Sequence, residues 1–228
     1  GHYIPKFSPC GYEFTKGFVD FLGKKGIQTS RQKGNACILD YDNYEKFRNA
    51  NQDNNFKNEI KNLKAGEPLD ENTDYACMAR PDLAEELYEQ IQESVDKGAK
   101  VLLGGKAPEK GSAKFSPTIL TDIPKDSPAY SEELFGPVAI VFRVKSADEA
   151  IQIANDSEFG LGSSLWTKNP EKAEALASRI ESGAVFINSL VASNPHLPFG
   201  GIKKSGYGRE LSRHGILEFV NTKTVYLG

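Results

Sequence analysis

Cysteine is scarce in this chain. Three occur in 228 residues, Cys10, Cys37 and Cys77, odd in number and widely spaced. That excludes a disulfide framework and a paired Cys-x-x-Cys metal site, and it suits a reducing, cytoplasmic compartment. Histidine is equally rare. His2 is terminal, and His196 and His214 stand 214 − 196 = 18 positions apart, so no histidine-rich metal centre is expected. Charge of one sign is lacking too. With 28 Lys+Arg against 31 Asp+Glu the net charge is −3, which gives no electrostatic reason to expect nucleic acid or an anionic membrane as partner. No run approaches the ~18 apolar residues of a membrane-spanning helix. The opening Gly1-His2-Tyr3-Ile4-Pro5-Lys6 has no basic-then-apolar order of a secretory signal. No Gly-x-Gly-x-x-Gly follows a strand pattern and opens a helix, and Gly104-Gly105 and Gly200-Gly201 read as turn pairs. Internal repeats and low-complexity tracts are absent as well.

What is present is an alternation of helix and strand from about residue 80 onward. Asp82 is placed to cap a helix that carries Leu83, Leu87, Ile91 and Val95 on one stripe and stops at Gly98. Residues 99–103 read as a short buried strand, and Val138 to Val144 is a second, β-branched run. Ser146 and Glu149 form a capping box for a helix through Ala154. Residues 163–167 are strand-like. Asn169-Pro170 opens a helix with Ala173, Leu176, Ala177 and Ile180 on its inner face, and it ends near Gly183. Residues 184–188 make the next strand, and 222–227 alternate polar and apolar as an edge or subunit-crossing strand does. Repeated β-α-β order implies an α/β, three-layer domain around a mostly parallel sheet. Residues 1–60 are different. Tyr41 to Phe56 is crowded with Asp, Asn, Lys and aromatics without a clear period, and 18–22 is read as either helix or strand.

Two motifs carry the chemistry. One is Glu132-Glu133-Leu134-Phe135-Gly136-Pro137, a carboxylate and an aromatic ahead of a Gly-Pro break. The other is Pro198-Phe199-Gly200-Gly201-Ile202-Lys203-Lys204-Ser205-Gly206-Tyr207-Gly208-Arg209-Glu210. Either alone would be a glycine-rich turn. In this order, with 198 − 133 = 65 positions between them, they resemble the carboxy-terminal, catalytic-domain half of the aldehyde dehydrogenase superfamily. The resemblance is nearly continuous from about Asn58 to Gly228 and local at Arg31 to Ile38. Tyr75 to Arg80 and Gly208 to Ser212 look most like the family's bacterial succinate-semialdehyde dehydrogenases.

The resemblance implies a catalytic domain over residues 1–219, with 1–56 matching poorly, and an oligomerisation strand over 220–228. It implies NAD or NADP as cofactor, a small-molecule aldehyde as substrate, and a homo-oligomer. Glu133 would hold the hydroxyls of the nicotinamide ribose and Phe135 would lie against the nicotinamide. The nucleophile of the family is a cysteine whose thiolate attacks the aldehyde, and Gly34-Asn35-Ala36-Cys37-Ile38 offers Cys37, 133 − 37 = 96 positions before Glu133. Its sulfur is expected within nicotinamide-riboside reach of the Glu133 carboxylate. Asn35 stands where the family has glutamine, and Asp40 and Asp42 follow where a small-residue and basic run is usual; acidic neighbours raise a thiol's pKa. In the loop before Pro198, Ser193, His196 and Phe199 would face the aldehyde tunnel, with Ser193 placed for a distal carboxylate and Phe199 for the alkyl chain. Cys77 reads as structural.

The family's glutamate base and oxyanion asparagine find no counterpart, and its main dinucleotide-binding domain precedes the region covered here. Three readings follow. One is an aldehyde-oxidising chain that acts through a cysteine thioester. The second is a non-catalytic fragment serving as an interaction or oligomerisation module. The third is an α/β domain that binds a nucleotide or small acid without turnover.

Overall fold

A computed structural model describes residues 2–7, 37–39, 57, 58, 60–167 and 169–228. Their elements are, in chain order, β1 (His2–Phe7), β2 (Cys37–Leu39), helical residues at 57, 58, 60 and 61, α1 (Pro81–Asp96), β3 (Lys100–Leu103), β4 (Thr118–Thr121), α2 (Pro128–Ser131), β5 (Val138–Val144), α3 (Ala147–Asn155), β6 (Phe159–Gly160), β7 (Ser163–Trp166), α4 (Pro170–Ala177), β8 (Val185–Ile187), β9 (Ile202–Lys203) and α5 (Ser212–Leu217).

The strands sort into three sheets, in the orders β1-β5-β4-β3, β2-β7-β8 and β6-β9. The inner pair β4/β5 and the whole β2-β7-β8 sheet are parallel, as repeated β-α-β order dictates. The antiparallel pairings are β1 and β3 at the edges of the first sheet and the short β6/β9 ladder. The domain is therefore α/β with mixed sheets. Strand β5 lies inside its sheet, and six of its seven residues are buried, Arg143 alone being exposed. Its even positions Val138, Ile140, Phe142 and Val144 join a core with Leu87 and Ile91 of α1, Leu120 of β4, Ala150 and Ile151 of α3 and Leu165 of β7. Ala139 and Val141 are buried on the opposite face.

Three local readings change. Asp82 does not cap α1. Pro81 takes the first helical position, where its missing N–H costs nothing, so Arg80 becomes the cap residue and instead pairs with Asp82 at 2.7 Å. Gly98 ends the helix as expected, with φ of +117°. Strand β3 is not buried: Lys100 and Val101 are exposed and the next two residues half-buried, because it is the sheet's outer strand. Helix α4 stops at Ala177, and Ile180 reaches the core from the turn that follows. The two remaining caps form as read. Ser146 accepts from the Glu149 N–H at 3.1 Å, while the Glu149 carboxylate accepts from the Lys145 N–H. Asn169 accepts from the Lys172 N–H at 3.0 Å. Residues 222–227 form no strand within the single chain, and Val225, Tyr226 and Leu227 are exposed. Cys10, residues 18–22 and 41–56, and the Cys37 side chain lie outside the described residues.

Candidate active site

Glu133 and Phe135 sit on an unpaired stretch between α2 and β5. Exposure alternates along it: Leu134 is 5 % exposed, Phe135 is 47 % exposed and Glu133 is exposed. Leu134 is sunk into the core, so its two neighbours are turned the other way, as successive side chains of an extended segment are. The sequence imposes this locally. Gly136 allows the chain to turn tightly, with its N–H on the Leu134 carbonyl at 3.0 Å and its carbonyl taking the Val138 N–H at 2.8 Å. A Cβ at Gly136 would lie 2.3 Å from Leu87 Cδ2, so the buried Leu87 side chain would have to shift to admit one.

The Glu133 carboxylate makes no hydrogen bond or ion pair among the described residues. Surrounding protein atoms strip part of its hydration and push its carboxyl above the usual carboxylate range. An unpaired carboxylate beside a half-exposed aromatic ring fits what a nicotinamide riboside needs, acceptors for the sugar hydroxyls and a flat apolar face for the ring. Glu132 is different, since its carboxylate takes the Gln90 Nε2–H at 2.8 Å.

The second motif is a loop pinned at many points. Asn188 turns the chain out of β8 with φ of +53°, a conformation asparagine tolerates. Its N–H reaches the Leu165 carbonyl and its Oδ1 takes the Thr167 N–H, both at 2.8 Å. Leu190 and Val191 are buried, whereas Ser193 and His196 are exposed. Phe199 is half-buried, and its backbone exchanges two hydrogen bonds with Glu210, at 2.9 and 2.7 Å. Arg209 Nη1 donates to the carbonyls of Gly201 and Gly208, at 2.9 and 2.6 Å. The glycines are there for backbone contact. A Cβ on Gly183 would lie 1.7 Å from the Gly200 carbonyl oxygen, and one on Gly200 would lie 2.6 Å from the Gly208 oxygen.

Cys37 begins β2, where its backbone pairs with Ser164 of β7, and Ser164 pairs in turn with Phe186 of β8. The sheet thus joins the Cys37 strand to the strand from which the 188–199 loop departs. Glu133 and Phe135 reach that loop through no hydrogen bond or ion pair among the described residues. They share its core instead, through Leu134 and the partly buried Val185 and Ile187. Cys77 is exposed.

Three contacts were not read from the sequence: Gln90 on Glu132, Ser94 on Ala129, and the Arg209 clamp. Only Ser94 left a trace, as a polar residue on the apolar stripe of α1 beside Leu87 and Ile91.

The aldehyde dehydrogenase family profile matches residues 33–225. A probable NADP-dependent succinate-semialdehyde dehydrogenase of Synechocystis is 49% identical over 165 residues, covering 72% of this chain and 36% of the relative. An aldehyde dehydrogenase of Paenarthrobacter nicotinovorans is 43% identical over 206 residues, covering 88% of this chain and 44% of that one. The chain therefore spans well under half the length of these curated relatives. Among solved structures, succinic semialdehyde dehydrogenase from Streptococcus pyogenes in complex with NADP+ superposes with a TM-score of 0.76 at 38% identity, over 94% of this chain and 46% of the other. With the profile running through both motifs, the chain belongs to the aldehyde dehydrogenase family.

Proposed function

We propose that the protein oxidises an aldehyde to its acid with NAD(P)+, and that the aldehyde is succinate semialdehyde. The observation that carries this reading is the outward pair Glu133 and Phe135 on either side of the buried Leu134, in a chain whose relatives include NADP-dependent succinate-semialdehyde dehydrogenases. Glu133 would accept the ribose hydroxyls and Phe135 would lie against the nicotinamide. The bound dinucleotide supplies a hydride acceptor. Cys37 is proposed as nucleophile: its thiolate bonds to the carbonyl carbon, and water later releases the acid from the thioester and restores the thiol. Ser193 donates to the distal carboxylate of the substrate, and Phe199 packs on its alkyl chain. Residues 222–227, exposed in the single chain, are proposed to pair with a second copy, giving a cytoplasmic homo-oligomer. Among the described residues no helix is long and apolar enough to cross a membrane.

The experiment follows reduction of NADP+ and of NAD+ by absorbance with succinate semialdehyde, beside a Cys37→Ala variant. Turnover in the unmodified chain, abolished by the substitution, is expected. Turnover that survives Cys37→Ala removes Cys37 from the mechanism. A second reading, an oligomerisation module without turnover, is favoured by the exposed apolar side chains Phe219, Val225, Tyr226 and Leu227. Stable self-association with neither turnover nor dinucleotide binding would select it.

A further inference from the structure

Helix α1 meets the chain ahead of β5 at four points, in reverse order along the two segments. The Lys97 ammonium, just past the helix end, donates to the Asp126 carbonyl at 2.7 Å. Ser94, fully buried, accepts from the Ala129 N–H at 2.9 Å and donates to the Gln90 carbonyl at 2.7 Å. The Gln90 amide donates to the Glu132 carboxylate at 2.8 Å and lies 3.5 Å from the Glu133 carbonyl oxygen. Leu87 packs on Gly136, where there is no room for a Cβ. Ten helical positions, 97 down to 87, rise about 15 Å, and residues 126 to 136 are laid along that length.

The two segments differ in stiffness. Helix α1 has 16 residues and a buried face. The other segment has the four-residue α2 and then no sheet partner until Val138. Between α2 and Gly136 the Glu132 N–H closes the helix on the Pro128 carbonyl at 2.8 Å, and beyond it the segment is held by the buried Leu134 side chain and by Gln90. One anchor in the core fixes depth but leaves rotation about the chain axis. A second anchor from the side removes that rotation, and with it the freedom of Glu133 and Phe135 to swing.

We infer that Gln90 is a positioning residue: by holding Glu132 and the Glu133 backbone against helix α1, it sets the direction in which Glu133 and Phe135 face a dinucleotide. This rests on the reading of Glu133 and Phe135 as cofactor ligands. Chemistry favours glutamine here. Its Nε2 carries two hydrogens, enough for a carboxylate and a carbonyl together. A glutamate at 90 would repel the Glu132 carboxylate. Gln90 reaches the Glu132 carboxylate and the Glu133 backbone carbonyl and makes no hydrogen bond to the Glu133 carboxylate, so its effect travels through the backbone of its neighbours.

The test compares Gln90→Met, which keeps length and helix propensity but has no N–H donor, with Glu132→Ala and with the double variant. NADPH affinity is read by fluorescence titration, aldehyde KM by kinetics, and backbone mobility by hydrogen exchange at the amides of residues 133–135 in the cofactor-free protein. Expected in Gln90→Met is a Kd for NADPH weaker by a factor on the order of 3–10, the loss of one modest hydrogen bond. Aldehyde KM should stay unchanged and exchange at 133–135 should be faster. The double variant should be no weaker than the worse single one, because both remove the same contact. Unchanged exchange, or faster exchange with unchanged NADPH affinity, overturns the inference. If the unmodified protein binds no NADPH, the proposed NAD(P)+-dependent turnover of this chain fails by that result alone, and exchange at 133–135 still judges whether Gln90 holds this segment.

Discussion

Replacing Gly183 by alanine tests how the Pro198–Glu210 loop is held. The added Cβ would lie 1.7 Å from the Gly200 carbonyl oxygen, whereas ordinary contact begins at 3.4 Å, so the two segments must part by 3.4 − 1.7 = 1.7 Å. Gly200 is itself closely packed: the Gly208 carbonyl oxygen lies 2.6 Å from where its own Cβ would be, and Arg209 clamps the carbonyls of Gly201 and Gly208. Retreat of Gly183 is opposed as well, since its N–H is bonded to the Gly160 carbonyl at 2.9 Å. Overpacking by a methyl group ordinarily costs about 1–3 kcal/mol, and backbone on both sides puts this case at the upper end, about 3 kcal/mol. For a domain of this size that lowers the melting temperature by roughly 6–12 °C. Thermal unfolding followed by circular dichroism measures it. Gly111→Asn is the control: nothing lies within 4 Å of a Cβ there, and asparagine tolerates its φ of +72°. A Gly183→Ala protein that melts within about 2 °C of the unmodified chain would refute the glycine stack, since it would show the loop free to move by more than an ångström.

Two further substitutions probe the Glu133 segment and its contact with α1. Ser94→Ala leaves the buried Ala129 N–H without its acceptor, a cost of about 1–3 kcal/mol, against which alanine's helix propensity returns about 0.5 kcal/mol. A lower urea midpoint with unchanged slope is expected, and an unchanged midpoint would mean that the N–H finds another partner. Glu133→Gln acts in opposite directions on stability and binding. Because desolvation raises the Glu133 carboxyl, the folded chain holds that proton more tightly than the unfolded chain does, so this group favours folding at acid pH and that contribution is lost as pH rises through its titration. The melting temperature of the variant relative to the unmodified protein should therefore climb as pH rises above the ordinary glutamate range and then level off, a difference kept small by solvent at this exposed residue. NADPH affinity should fall about tenfold or more at neutral pH as a charged acceptor is lost. A melting difference independent of pH would remove the desolvation argument.

How far the sequence reached depended on how local each cause is. The caps Ser146 and Asn169 form as read because a cap is a contact between residues three apart. Strand β5 was legible from its β-branched run. Asp82 misled because a proline beside it competes for the helix start, and β3 misled because hydrophobic residues do not say whether a strand is central or at an edge. The motif residues Glu133, Phe135 and Phe199 were found by resemblance, and their structural supports were not. Gln90 and Glu132 are 42 positions apart and look like ordinary helix-surface and loop residues until the fold sets them side by side.

The order of residues by itself determined the family, the alternation of helices and strands, and the two glycine-bearing motifs, since these rest on patterns a few residues long. Tertiary structure alone decided that α1 braces the Glu133 arm from Lys97 to Leu87, and that Gly183 and Gly200 must both lack side chains. The physical reason is the same for both. Close approach between distant segments is fixed by how the core packs, and no local periodicity encodes which backbone atoms will meet.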